Sequence, residues 1–326
     1  MSVKKIVKLF LINVLIVVLM FILAELSVRV FLPQIKLPGT ESTLLQDSIY
    51  FDSQGLRKNA VGKSMGVLKQ TTAVRTWKYV KNNNSNRRTL FLGDSVTMGI
   101  GIENDSTFCG LINNADTSIR VFNPALIGYS VYDYKNIVRK ILVDDGNQNK
   151  ISEVIVCWCL NDIYSNEIIQ NVPQATDETL LGRVLIFFRS NSYLYQFVKN
   201  LFRDRSKEYY LFDDNFYSNN NKTFLKGLKD LDEIITLLNS TNVKLKVLLL
   251  PYEFQIRDNN YRELNKPQHL LSEFLKSRDV EFYDIAKAFD GNDENISDYY
   301  LYGDGLHFSE TGHRIVANYI LKEILY

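Results

Sequence analysis

The residues best suited to chemistry stand where short apolar runs end. Thr89–Leu92 is a run of that kind, and it leads straight into Gly93-Asp94-Ser95. A serine there can act as a nucleophile if a base reaches it. Near the C-terminus, Asp304-Gly305-Leu306-His307-Phe308-Ser309 puts an acid and an imidazole three residues apart in a loop. At that spacing Asp304 can hold His307 in one tautomer, and the free ring nitrogen can take a proton from Ser95. Two further groups could stabilise the oxyanion that such an attack creates. Gly128, within Asn123-Pro124-Ala125-Leu126-Ile127-Gly128-Tyr129-Ser130, has no side chain to block its backbone N–H. Asn161, within Cys159-Leu160-Asn161-Asp162, carries an uncharged N–H donor. Each has a plainer reading: Ser95 and Asn161 as helix caps, Gly128 as a turn glycine. Together, in a consistent order along the chain, they favour acyl chemistry.

These residues need a scaffold, and the apolar pattern supplies one. Besides Thr89–Leu92, the runs Ile119–Phe122, Val154–Leu160, Val243–Leu250 and Val280–Tyr283 read as buried strands. Helical spacing occupies Val131–Leu142, Phe224–Leu238, Tyr261–Lys276 and Glu310–Ile324. Strands alternating with helices predict an α/β fold, a doubly wound parallel sheet of the flavodoxin kind. In such a sheet the ligand crevice lies at the carboxyl ends of the strands, where all the candidate residues fall.

With the four blocks and the strand order together, residues 88–326 resemble the SGNH hydrolases, also called the GDSL esterase/lipase superfamily. Gly93-Asp94-Ser95 resembles the nucleophile block, Gly128 the second, Asn161-Asp162 the third, and Asp304 with His307 the last. The resemblance implies a three-layer sandwich. It implies Ser95 as nucleophile, His307 as base and then acid, Asp304 as its orienting partner, and the Ser95 N–H, Gly128 N–H and Asn161 side chain as oxyanion hole. Two departures stand out. Cys159 occupies the place where the third block usually has Gly, which predicts a changed pocket shape with the chemistry kept. The Gly-x-Ser-x-Gly elbow of the α/β-hydrolases is absent around Ser95.

The ends and the long interval carry the location. Lys4, Lys5 and Lys8 precede an uncharged run from Leu9 to Ala24, and the helical pattern continues to Leu32 before Pro33. This predicts an uncleaved signal anchor over residues 1–33, with the lysines cytoplasmic and the remainder extracytoplasmic. A cleaved signal peptide is the rival reading. Residues 34–87 are polar and glycine-rich, a membrane-proximal segment with few long elements. An insertion at about 163–222 carries bulky residues from Leu185 to Phe202 among Arg183, Arg189, Lys199, Arg203 and Arg205. Its aromatics are expected to cover the sheet edge; a lid or a second membrane contact is the alternative.

Composition removes other classes. Lys and Arg total 38 against 37 Asp and Glu, so no basic excess points to nucleic acid. Three Cys rule out a disulfide scaffold, and Cys157 and Cys159, on one face of a strand about 6.5 Å apart, suit buried thiols better than a bridge. Cys109 pairing with one of them stays open. Three His leave no pair with close ligand spacing, so neither metal nor cofactor is expected. His313 and His269 are expected to pack in a helix and on a surface.

The expected activity is a membrane-anchored carboxylester hydrolase, removing O-acetyl groups from surface or cell-wall glycans through an acyl-enzyme. Lipid esters are the alternative substrate. Transfer of the acyl group to a glycan, beside a polysaccharide-modifying membrane partner, is the alternative reaction. A non-catalytic binding domain is the reading from another class.

Overall fold

A computed structural model describes residues 2–164, 179–289 and 295–325 of the chain. It falls into two compact units, Met1–Pro38 with Gln174–Arg203, and Gly39–Pro173 with Asp204–Tyr326.

The larger unit begins with two antiparallel hairpins. Strand β1 (Leu45–Tyr50) pairs with β2 (Ser53–Leu56), and β3 (Val61–Ser64) with β4 (Val67–Gln70). The second hairpin turns on Met65 and Gly66, both at positive φ, the two-residue turn that matches strand twist. Polar, glycine-rich strands of four to six residues carry little hydrophobic pattern, so the sequence did not announce them. Leu44, Tyr50, Leu56 and Trp77 nevertheless join the same core as the sheet. Trp77 Nε1 donates to the Ala125 carbonyl at 3.0 Å, and the Tyr129 hydroxyl to the Gln54 carbonyl at 2.6 Å. Residues 39–87 are therefore part of one compact unit with the sheet, with no break at 87/88.

The sheet follows. Strands β5 (Arg87–Leu92), β6 (Ile119–Phe122), β7 (Glu153–Trp158), β8 (Lys244–Leu249) and β9 (Glu281–Asp284) are all parallel, in the order β6-β5-β7-β8-β9. This is the doubly wound order anticipated from the sequence, and every residue of β7 is buried because both faces are covered. Helix α2 (Ser95–Met98) follows β5, and α3 (Phe108–Ala115) and α4 (Val131–Val138) flank β6. After β7 come α7 (Arg205–Asp214) and α8 (Lys222–Thr241), then α9 (Glu253–Ile256), α10 (Lys266–Lys276) and α11 (Glu310–Tyr319). Helix α3 packs with α11 and α4 with α8. Between β5 and β7 the winding reverses, which opens a crevice at their carboxyl ends.

The smaller unit contains α1 (Val3–Phe31), α5 (Leu180–Asn191) and α6 (Tyr193–Leu201). Among the described residues α1 is the one helix long and apolar enough to cross a membrane. The expectation that the insertion's aromatics cover the sheet edge fails for 180–203, which pack with α1 instead: the Phe21 and Phe188 rings meet edge-on at 5.7 Å. The insertion is thus split, because α7 belongs to the larger unit. Part of it, residues 165–178, lies outside the described residues. All three cysteines are free and buried, so Cys109 pairs with neither of the others.

Candidate active site

Strand β5 delivers Ser95 through a turn that only glycine permits. A Cβ on Gly93 would stand 1.9 Å from Thr97 Oγ1, so the chain turns there with the next helix folded tightly over it. Asp94 caps α2, accepting the Val96 N–H at 2.9 Å. Ser95 is the first residue of the helix, where a backbone N–H has no intrahelical acceptor. The residue is 5% exposed.

Ser95 Oγ lies 2.8 Å from His307 Nε2, and His307 Nδ1 lies 2.7 Å from Asp304 Oδ1. The same carboxylate oxygen accepts the backbone N–H of His307 at 2.8 Å and of Leu306 at 3.1 Å, locking the loop around the ring. Burial opposes ionisation of Asp304, but His307 and Arg205 outweigh it and hold the carboxyl below the usual range. An ionised Asp304 fixes the proton on Nδ1 and leaves the Nε2 lone pair facing Ser95. Burial likewise works against a charged imidazole, yet the Asp304 carboxylate, with a smaller push from Asp94, raises His307 above its ordinary value.

Asn161 stands at the carboxyl end of β7, in a turn held by Asp162, which accepts the Cys159 N–H at 2.8 Å. Asn161 Nδ2 donates to Asp94 Oδ2 at 3.1 Å, which commits one of its two N–H groups and leaves the second. Gly128 sits at φ +79, a left-handed conformation suited to glycine, and its N–H makes no hydrogen bond among the described residues. The structure thus brings Ser95, His307 and Asp304 into one chain and joins Asn161 to it through Asp94; Gly128 is not hydrogen-bonded to them. Cys159 is buried behind this turn, and burial pushes its thiol well up, so it offers no nucleophile.

Several contributors escaped the sequence reading. Asp94 links Asn161 to the serine, since Ser95 Oγ also lies 3.3 Å from Asp94 Oδ2. Arg205, on α7, places a guanidinium 3.6 Å from the second Asp304 oxygen. Asp213, on the same helix, accepts hydroxyl hydrogen bonds from Tyr164 at 2.5 Å and Tyr252 at 2.6 Å, and the Tyr252 oxygen lies 3.3 Å from Asn161 Oδ1. Tyr252 follows β8, so the strand-end rule that found Asn161 could have found it. Nothing local marks Arg205 or Asp213 among the other charges of the insertion. Behind α2, the buried Lys69 of β4 donates to the Met98 carbonyl at 3.1 Å, and burial pushes its pKa down to about 7. His313 packs inside, accepting the Phe108 N–H, while His269 is exposed. Among the described residues no cluster of acids, His or Cys could hold a metal ion.

The family model for GDSL-like lipases and acylhydrolases matches residues 91–315, most of the chain. The chain belongs to that family. Solved structures similar to this GDSL protein include a catalytic mutant of Axe2, an acetylxylan esterase from Geobacillus stearothermophilus, at 15% identity and TM-score 0.45, covering 74% of this chain and 94% of that one. The esterase EstA from Pseudoalteromonas sp. is similar at 12% identity and TM-score 0.43, over 73% and 97%. A GDSL-family lipolytic protein from Veillonella parvula is similar at 13% and 0.42, over 73% and 98%. A comparison with curated protein sequences found no match.

Proposed function

We propose that this GDSL hydrolase is a membrane-anchored, extracytoplasmic esterase that removes O-acetyl groups from surface or cell-wall glycans. The observation that carries the reading is the hydrogen-bonded chain from Ser95 Oγ through His307 to Asp304. In the reaction Ser95 Oγ attacks the acyl carbonyl while His307 Nε2 takes its proton. The tetrahedral oxyanion accepts hydrogen bonds from the Ser95 N–H, the Gly128 N–H and the second Asn161 N–H. His307 then protonates the departing sugar hydroxyl, leaving an acyl-serine that water attacks by the same base. The choice of a glycan acetyl ester over a lipid rests on the membrane-anchored, extracytoplasmic placement proposed for the domain. Lys4, Lys5 and Lys8, at the N-terminal end of α1, support a cytoplasmic N-terminus.

The test uses the full chain in detergent, with Ser95→Ala beside it. Hydrolysis of p-nitrophenyl esters from acetyl to long acyl chains is followed, then acetate release from acetylated glycan. Ser95-dependent activity that is greatest on acetyl is expected. A long-chain optimum would move the substrate to lipids, and equal rates in folded wild type and variant would remove Ser95 as nucleophile. Acetylated sugar in place of acetate, on adding a glycan acceptor, would make the enzyme a transferase.

A further inference from the structure

The smaller unit makes polar and apolar contacts that a bare membrane anchor would not need. Glu25, near the end of α1, accepts the Tyr193 N–H at 3.0 Å, the Leu194 N–H at 2.9 Å and the Ser192 hydroxyl at 2.8 Å. These backbone groups are the unsatisfied donors at the start of α6, so a carboxylate from one helix caps another. Arg29 completes the lock, donating to Glu25 at 2.8 Å and to the Asn191 carbonyl at 3.2 Å, with its guanidinium 4.8 Å from the centre of the Tyr193 ring. Every one of these groups finds a partner inside the protein, as a layer with little water requires.

Depth along α1 follows from helix geometry. Glu25 lies 17 residues beyond Lys8, roughly 25 Å at 1.5 Å per residue, close to the far edge of a hydrocarbon layer about 30 Å thick. Phe21 is one turn deeper, by about 6 Å, and it is Phe21 that the Phe188 ring of α5 touches. Helix α5 therefore meets α1 at hydrocarbon level. Its Leu180, Leu181, Val184, Leu185 and Phe188 recur at the spacing of one helical face. Leu181 is 68% and Phe187 61% exposed, and Val198 and Leu201 on α6, with Phe202 just after it, are exposed too. This apolar surface continues the lipid-facing surface of α1, whose own side chains are exposed along its length.

We propose that α5 and α6 form an interfacial hairpin embedded in the lipid bilayer, locked to a retained α1 by Glu25 and Arg29. The occupant of the apolar face is the acyl region of the outer leaflet. Arg183 and Arg189 on α5 and Lys199 on α6 give the hairpin the basic side chains that a headgroup layer attracts. The proposal rests on the anchor reading and is independent of the esterase chemistry.

The experiment attaches nitroxides to single introduced cysteines in the full chain, reconstituted in phosphatidylcholine nanodiscs; the three native thiols are buried. Leu181→Cys and Phe187→Cys report the hairpin, Val14→Cys the middle of α1, and Lys229→Cys an exposed site on α8. Oxygen concentrates in hydrocarbon and a nickel chelate in water. The expected result is an oxygen-to-nickel accessibility ratio above one at Leu181, Phe187 and Val14, and below one at Lys229. Ratios below one at Leu181 and Phe187 with Val14 still above one would overturn the hairpin and leave the anchor. A Val14 label lost from the chain or open to nickel would overturn both. Low accessibility of the hairpin labels to both reagents would give the face to a protein partner and overturn the lipid assignment.

Discussion

Replacing Asp213 by Asn tests whether α7 controls the oxyanion side of the site. Asp213 is buried between two tyrosines; burial, with an added push from the Asp94 charge, raises its carboxyl from an ordinary 3.8 to about 6, although the tyrosyl hydroxyls pull it down. An acid whose folded value exceeds its unfolded value binds more protons in the native state, so stability falls as pH rises through that window. At 1.36 kcal/mol per tenfold, the rise corresponds to roughly 3 kcal/mol once both states are ionised. About half of that is lost between pH 5 and pH 8. Asn cannot ionise, so this slope disappears in the variant. It also offers one acceptor where the carboxylate offers two, which leaves a tyrosyl hydroxyl unpaired and costs about 1–3 kcal/mol at every pH. The diagnostic quantity is therefore the difference in slope. Urea unfolding followed by tryptophan fluorescence reads it, because both tryptophans, Trp77 and Trp158, are buried in the larger unit. Wild type should lose about 0.5 M of midpoint relative to the variant between pH 5 and pH 8. The variant's kcat should also fall, bounded by the roughly 100- to 1,000-fold loss of an oxyanion donor. Parallel pH profiles of stability would refute the raised Asp213 and the reasoning built on it.

Other expectations follow from the same geometry. Activity needs neutral His307, so kcat/KM should fall as pH drops, with a midpoint above the ordinary imidazole value because Asp304 raises it. Arg205 works against that rise, so Arg205→Gln should move the acid limb to higher pH; an unmoved limb would show that Arg205 does not act on the pair. Asn161→Ala should slow kcat by about 100-fold or more, and a change confined to KM would make Asn161 a positioning residue. Lys69→Met should raise the urea midpoint at pH 7. A lysine depressed to about 7 when folded is less protonated than in the unfolded chain, so the wild type recovers as pH rises towards 10 and the gap should close. A gap independent of pH would place the effect in packing alone.

The sequence by itself determined the sheet, its order and the positions of the candidate site residues. Strands buried on both faces must be continuous apolar runs, and the turns that end them carry Ser95, Gly128 and Asn161, so pattern and chemistry are both local there. The Asp304–His307 pair is also local, three residues apart in one loop. What surrounds these groups was decided in three dimensions. The hairpins at 45–70 are too short and polar to show a period, and they become ordered by Trp77, Tyr50 and Leu56 entering a core formed by distant residues. Arg205 and Asp213 read as two charges among many until α7 brings one to Asp304 and the other to Tyr252, because burial and pairing are properties of the assembled chain. The split of the insertion has the same origin. Leu185, Phe188 and Val198 show helical spacing whatever they pack on, and periodicity says that a face is apolar without saying what will cover it. Contacts between residues about 170 apart in sequence, the Glu25 cap at Tyr193 and Leu194 and the Phe21–Phe188 ring pair, tied that segment to α1.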